Sequence, residues 1–424
     1  MRLFFLAFLL LFGCAGRDDG RVVVKFWAMG REGEVVAELI TEFERLNPGI
    51  RVDLQQIPWS AAHEKLLTAF AGRVTPDLAQ LGSSWVPELV ALGALQPLDR
   101  FVAASKSVEP GDYFRGGWNG NVVDDQLWGV PWYADTRILF YRSDLLREAG
   151  FAQPPRDWAE WVRAMRAIKQ RGPPGNYAIF LPTNEYEPLL ALGLQQPDSL
   201  LRDGGRYGNF RSPGFTRASD FYFSLFREGL APRATNTQIS NVYDEFARGL
   251  FAFYITGPWN IGEFKRRLPP ERQDDWMTAP LPGPDGPGAS IAGGSSLAIF
   301  ARSERKAAAW KLVEYLSRPD VQLRFFELTG DLPPRRSVWD APLLAGDRYA
   351  TAFRDQLERA VPPPAVPEWE RIGQQIRIVS ERAVAGQITP AQFRATLDAD
   401  TDVMLEKRRW KLAREARQSR EVGQ

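Results

Sequence analysis

Val22-Val23-Val24-Lys25-Phe26-Trp27, the helical spacing of Glu34–Leu46, the break Asn47-Pro48-Gly49 and the alternating Ile50-Arg51-Val52-Asp53-Leu54 together decide the fold. The first run is β-branched and reads as a buried strand. The second has apolar residues at helical spacing and stops at a proline–glycine turn. Strand, helix and strand in that order favour parallel pairing and an α/β body. A helix predicted around Ala61–Phe70 leads through Thr75-Pro76-Asp77 to the short strand Leu78–Leu81, and Gly82-Ser83-Ser84-Trp85 opens another helix. Open α/β sheets bind ligands beyond the carboxyl ends of their strands. Trp27, Trp59 and Ser83–Trp85 fall at such ends, as does Glu32 in the loop after the first strand.

Further along, a second α/β region is predicted. Arg137–Tyr141 is strand-like, and Asp157 caps a helix running to about Lys169. Helices near Arg217–Glu228 and Val242–Arg248, the strand Leu250–Ile255 and the turn Gly257-Pro258-Trp259 extend it. Pro280–Gly288 is a proline- and glycine-rich loop, read as a natural hinge, leading to Gly293-Gly294-Ser295-Ser296 and the strand Leu297–Phe300. A chain of 424 residues is too large for one hydrophobic core, so two lobes are expected.

Composition removes several function classes. Lys+Arg 53 against Asp+Glu 52 provides no electrostatic footprint for nucleic acid. One cysteine and one histidine leave no cluster for zinc and no Ser/His or Cys/His nucleophile system, and no cofactor is expected. His63 reads as a surface residue of an amphipathic helix. Aromatic residues are in excess, with 14 tryptophans.

The one cysteine, Cys14, follows an uncharged apolar stretch from Leu3 to Phe12, behind the single positive charge of Arg2. This has the layout of a leader and is too short to span a bilayer. Leu11-Phe12-Gly13-Cys14 resembles the lipobox of bacterial lipoproteins, although Phe12 departs from the usual small or β-branched residue. The resemblance implies cleavage before Cys14, lipid on its thiol, and an extracytoplasmic body anchored to the cell membrane. The alternative is an ordinary secretory leader.

In order along the chain, Thr75-Pro76-Asp77, Trp85, Leu92-Gly93-Ala94-Leu95-Gln96-Pro97-Leu98, Leu139-Phe140-Tyr141-Arg142-Ser143-Asp144-Leu145, Pro154-Pro155-Arg156-Asp157-Trp158, Phe246–Gly249, Gly257-Pro258-Trp259, Pro280–Gly283, Gly293-Gly294 and Pro367-Glu368-Trp369 resemble the solute-binding proteins of ATP-driven sugar importers, the group that includes maltose-binding protein. Arg142 and Asp157 depart from the usual Asn and Thr. The resemblance implies a two-lobed α/β periplasmic-binding-protein fold of type II, with discontinuous lobes about a hinge. It implies a leader over 1–13, a tether over 14–20, a first lobe from 21–134 plus 291–335, and a second from 135–290 plus 336–424. It also implies a binding protein and not an enzyme, capture of a di- or oligosaccharide between the lobes, and delivery to a permease with its ATPase. A monomer is expected.

Sugars present apolar C–H faces ringed by hydroxyls, so flat aromatics and polar groups at loop positions are the candidates. Trp259 matches the family's stacking tryptophan, with plugging of the lobe core as its alternative. Trp369 matches another family aromatic. Trp27, Trp59, Trp85, Trp132 and Tyr133 are further walls or packing residues. Asp135 is the first carboxylate, or else a partner of Arg137. Glu32, Ser83 and Ser84 are polar contacts or helix-terminal residues. Glu185 and Tyr186 resemble the second-lobe ligand loop. Gly293, Gly294 and Ser295 would let backbone approach a ligand, and Arg335 or Arg336 would reach the cleft or simply be solvated. Two alternatives stand beside sugar capture: the same fold holding a glycerol-phosphate-type polyol or a peptide, and a secreted glycosidase using two carboxylates. The basic stretch Glu406–Arg414 reads as a solvated final helix, or as one touching anionic lipid or the permease.

Overall fold

The computed structural model describes residues 20–239 and 241–422. Strands Val22–Met29 (β1), Ile50–Ile57 (β2) and Leu78–Gly82 (β3) are joined by helices Gly30–Leu46 (α1) and Trp59–Ala71 (α2). β1 pairs in parallel with both neighbours, as crossover helices require. The helix Val86–Ala91 (α3) follows a short turn over Ser83–Trp85. Val130–Asp135 (β4) ends this first sheet's early strands, and only Thr136-Arg137 separates it from Ile138–Arg142 (β5). β5 belongs to another sheet, with Ile179–Phe180 (β6), Phe253–Thr256 (β7) and Trp276–Ala279 (β8), in the order β8-β5-β7-β6. Gly293–Ile299 (β9) then returns to the first sheet and inserts antiparallel between β3 and β4, giving β2-β1-β3-β9-β4.

Each sheet is covered on both faces, so the molecule is two-lobed. On one side of the first sheet, Val24, Phe26 and Leu297 pack with α1 and with helices Lys306–Leu316 and Pro319–Thr329; on the other, Met29, Ile57 and Leu81 pack with α2 and α3. In the second lobe the helix Trp158–Arg171 starts at Asp157, whose carboxylate accepts the Glu160 N–H at 2.7 Å, as its sequence position predicts. Its buried Trp161, Met165 and Ile168 join Leu139 and Phe253 in the core.

The chain passes between the sheets at residues 135–138, again at 291–293, and once more near Leu332, which bridges Ala134. The Pro280–Gly288 loop does not itself form a crossing. Gln356 binds the Leu281 N–H and the Gly288 carbonyl, and Gln195 binds the Pro282 carbonyl, which fastens the loop to the second lobe. Among the described residues no helix is long and apolar enough to cross a membrane.

Candidate functional site

The carboxyl ends of β1, β3 and β4 form one wall of a cleft. Glu32, in the first turn of α1, is only 6% exposed yet faces the cavity. Trp59 opens α2, and its Nε1 lies 3.4 Å from Glu32 Oε2. Trp85 packs edge-on behind Trp59 at 5.6 Å, and His63 lies 5.1 Å behind Trp85 with Nε2 2.8 Å from Glu88 Oε2. Tyr133 and Asp135, two apart on β4, share a face and both line the cavity. β9 runs flush beside them because Gly294 has φ +110° and a Cβ there would sit 2.3 Å from the Tyr133 carbonyl. Asp331, in the loop where the chain crosses back between lobes, completes this wall.

The facing wall belongs to the second lobe. Trp259 is the first residue of the helix Trp259–Arg267 and is 46% exposed. Its ring folds back over Gly257, where a Cβ would meet ring carbon at 2.1 Å. The Arg137 guanidinium lies 4.6 Å from the ring centroid, held by Asp135 at 2.8 Å and Glu187 at 3.7 Å. The cavity between the walls measures about 1120 Å³. A second recess of about 180 Å³ shares Gly82, Asp135 and Gly294 with it, and adds Ser83, Ser84, Tyr186, Gly293 and the edge of Trp369.

Electrostatically the first wall is acidic. Burial, then the charge of Glu32, pushes the Asp331 carboxyl up to about 7, opposed by the Thr329 hydroxyl. Burial, then Glu32 and Asp331, holds the Tyr133 phenol well above its ordinary value. Burial would lower the Arg137 pKa, but Asp135 and Glu187 raise it, so this arginine stays charged and already paired.

The structure thus places Glu32, Trp59, Tyr133 and Trp259 on the cleft, Ser83, Ser84, Tyr186, Gly293 and Trp369 on the adjoining recess, and Asp135 and Gly294 on both. Trp369 contributes only an edge; it is 1% exposed and belongs to the second-lobe core. Several expected residues lie elsewhere. Trp27 is turned onto Lys65, 4.8 Å from its ring, and Trp85 is one layer behind the wall. Trp132 is buried against Phe325 at 4.5 Å, because it alternates with Tyr133 on β4 and so takes the core face. Glu185 is engaged with Asn236 at 3.1 Å, and burial, then Glu187, raises its carboxyl. Ser295 points into a small void behind β9. Arg335, 4% exposed, is fixed to Asp112 at 2.6 Å and to the Ser107 and Ser317 carbonyls, and Arg336 pairs with Glu358. Neither arginine lines the cleft; both brace the chain after its third crossing. His63 lies on α2 as expected, half-buried in its pair with Glu88. Cys14 lies outside the described residues.

Sequence reasoning missed Asp331, Phe326 and the Lys265–Asp347 pair at 2.7 Å, all lining the cavity. It treated Arg137 only as a partner for Asp135, whereas the guanidinium also backs Trp259. Among the described residues no group of three or more His, Cys, Asp or Glu side chains is placed to hold a metal ion.

Comparison with known proteins agrees with this architecture. Residues 29–323 match the family model of the bacterial extracellular solute-binding protein. The solved structure of the sugar-binding protein MalE from Xanthomonas citri superposes with a TM-score of 0.90 at 55% identity, covering 92% of this chain and 99% of that one. A putative binding protein of Brucella abortus is 26% identical over 413 residues, 95% of this chain and 97% of its own length. A diacetylchitobiose binding protein of Streptomyces coelicolor is 22% identical over 79% of this chain and 78% of its own. The family's members and these neighbours are binding proteins, not enzymes. With two lobes, an aromatic and acidic cleft between them and a family match across most of its length, the chain belongs to the bacterial extracellular solute-binding proteins.

Proposed function

We propose that the cleft captures a neutral di- or oligosaccharide, and that the closed, loaded form delivers it to an ATP-driven permease. The observation that carries this reading is that Trp59 and Trp259, from different lobes, border one cavity whose first-lobe wall holds Glu32, Asp135 and Asp331. Two indole faces suit two sugar rings, and carboxylates accept from several hydroxyls at once. About 1120 Å³ is more than a single sugar ring fills. A ligand touching both walls favours closure by its differential affinity for the closed form. The likeness to a sugar-binding MalE and to a diacetylchitobiose binding protein supports the same ligand class. A phosphorylated polyol fits poorly, because the first wall is carboxylate-rich and the cations at the cleft, Arg31, Lys265 and Arg266, are paired with Glu34, Asp347 and Glu263, as Arg137 is with Asp135 and Glu187. Lipid on Cys14 would keep the protein beside its permease.

The test is thermal unfolding against millimolar maltose, maltotriose, diacetylchitobiose, galactooligosaccharide and glycerol 3-phosphate. A ligand at a thousandfold excess over Kd stabilises by about 4 kcal/mol. A shift with one or two neutral oligosaccharides is the expected result. A shift with glycerol 3-phosphate alone would overturn the neutral-sugar reading.

A further inference from the structure

Pro390–Met404 and Glu406–Val422 form an almost unbroken helical rod, since the Leu405 N–H reaches the Thr401 carbonyl at 3.0 Å and the Arg409 N–H reaches that of Leu405 at 3.0 Å. One side is docked. Thr401 and Leu405 are buried, Arg408 donates to the Gly205 carbonyl at 3.1 Å, and Arg409 donates to that of Arg206 at 3.0 Å while lying 4.7 Å from the Tyr207 ring. The opposite side carries Val403, Lys407, Trp410, Arg414 and Arg417, spaced four, three, four and three residues apart, which keeps them within one stripe of a helix.

That stripe is exposed where apolar residues are normally covered: Val403 is 71% and Trp410 63% exposed. Arg414 lies 5.4 Å from the Trp410 ring. Among the described residues no carboxylate pairs with Lys407, Arg414 or Arg417, whereas the flanking Lys411 is matched with Glu415. The stripe is therefore a local excess of positive charge on a chain that is otherwise balanced.

We infer that this stripe is a docking surface for an anionic lipid bilayer. Three exposed cations around one exposed indole suit such a surface: the long basic side chains reach phosphates, and the indole between them sits at the headgroup level. The rod is convex and offers no groove, so a flat anionic surface meets it along one line. The reading is independent of what the cleft binds.

The test is co-sedimentation of the chain from Gly20 onward, which contains every described element, with vesicles of phosphatidylcholine alone or with one-third phosphatidylglycerol. The expected result is binding to the anionic vesicles only, released by 0.5 M salt. Lys407→Glu with Arg414→Glu and Arg417→Glu should weaken it about 100-fold, because each cation near such a surface contributes roughly a factor of five. The substituted side chains are exposed, so the unfolding midpoint should hold; Trp410→Ala alone offers a second variant that leaves the charges intact and should weaken binding several-fold. No binding to either vesicle, equal binding to both, or undiminished binding by the charge-reversed variant would overturn the inference and point to a protein partner or to simple solvation.

Discussion

On the first-lobe wall each useful side chain is held from behind, whereas on the second-lobe wall the principal aromatic stands nearly alone. Trp59 is backed by Trp85 and His63, and Tyr133 and Asp135 are fixed by the pairing of β4 with β9. Trp259 begins its helix with a half-exposed ring, resting on one glycine and one guanidinium. The first wall thus carries pre-set hydrogen-bonding geometry, and under the proposed function the second would supply the surface that completes the site on closure. Affinity gained this way depends on keeping the first wall rigid before the ligand arrives.

The sharpest way to break this contrast is to exchange the expectations for two tryptophans. Trp369→Ala removes a core indole and should cost about 3–5 kcal/mol of stability, read as a lower urea midpoint; a loss below about 1 kcal/mol would place Trp369 in the cleft after all. Trp259→Ala should leave the unfolding midpoint unchanged and weaken oligosaccharide binding about 100-fold by calorimetry, the loss expected for an aromatic anchor. A destabilised Trp259 variant with normal affinity would reverse the roles of the walls.

Asp331→Asn sharpens the electrostatic half of the comparison. The folded-state pKa, about 7, lies above the ordinary carboxyl value, so the unfolded chain releases this proton first as pH rises. The wild type therefore loses stability between about pH 4 and pH 7 from this group, and the loss is complete above 7. The Asn variant should gain about 4 kcal/mol relative to wild type at pH 8 and nothing at pH 4; equal differences at both values would show that Asp331 is not strained by its neighbours. The smallest effect is expected from Gly257→Ala. Its new methyl displaces the Trp259 ring, lowering affinity about fivefold and shifting near-ultraviolet dichroism, with the fold intact.

Much of the fold was legible because its signals are local. The β-branched run at Val22, the turn at Asn47-Pro48-Gly49 and the Asp157 cap each act within a few residues, and each forms as read. Trp259 stood out because a Gly-Pro turn after a strand places the next side chain at a sheet's end. Trp132 and Tyr133 show the limit: alternation says they face opposite ways, but only the completed sheet says which faces the cleft. Asp331 left no local signal, since its place follows from a crossing that pairs Leu332 with Ala134, nearly 200 residues earlier. Arg335 misled for a related reason. Exposure expected of a loop arginine was cancelled by Asp112, a partner remote in sequence.

β9 carries a consequence for biogenesis. β3 ends at Gly82 and β9 begins at Gly293, so β3 and β4 have no strand between them until about 210 further residues exist. At roughly 5–20 residues per second, a ribosome needs about 10–40 s to supply them. During that interval the first lobe has an open seam and cannot lock, because its central pairing is among the most non-local in the chain. For an exported polypeptide such a delay leaves the first lobe pliable until about two-thirds of the chain has been made.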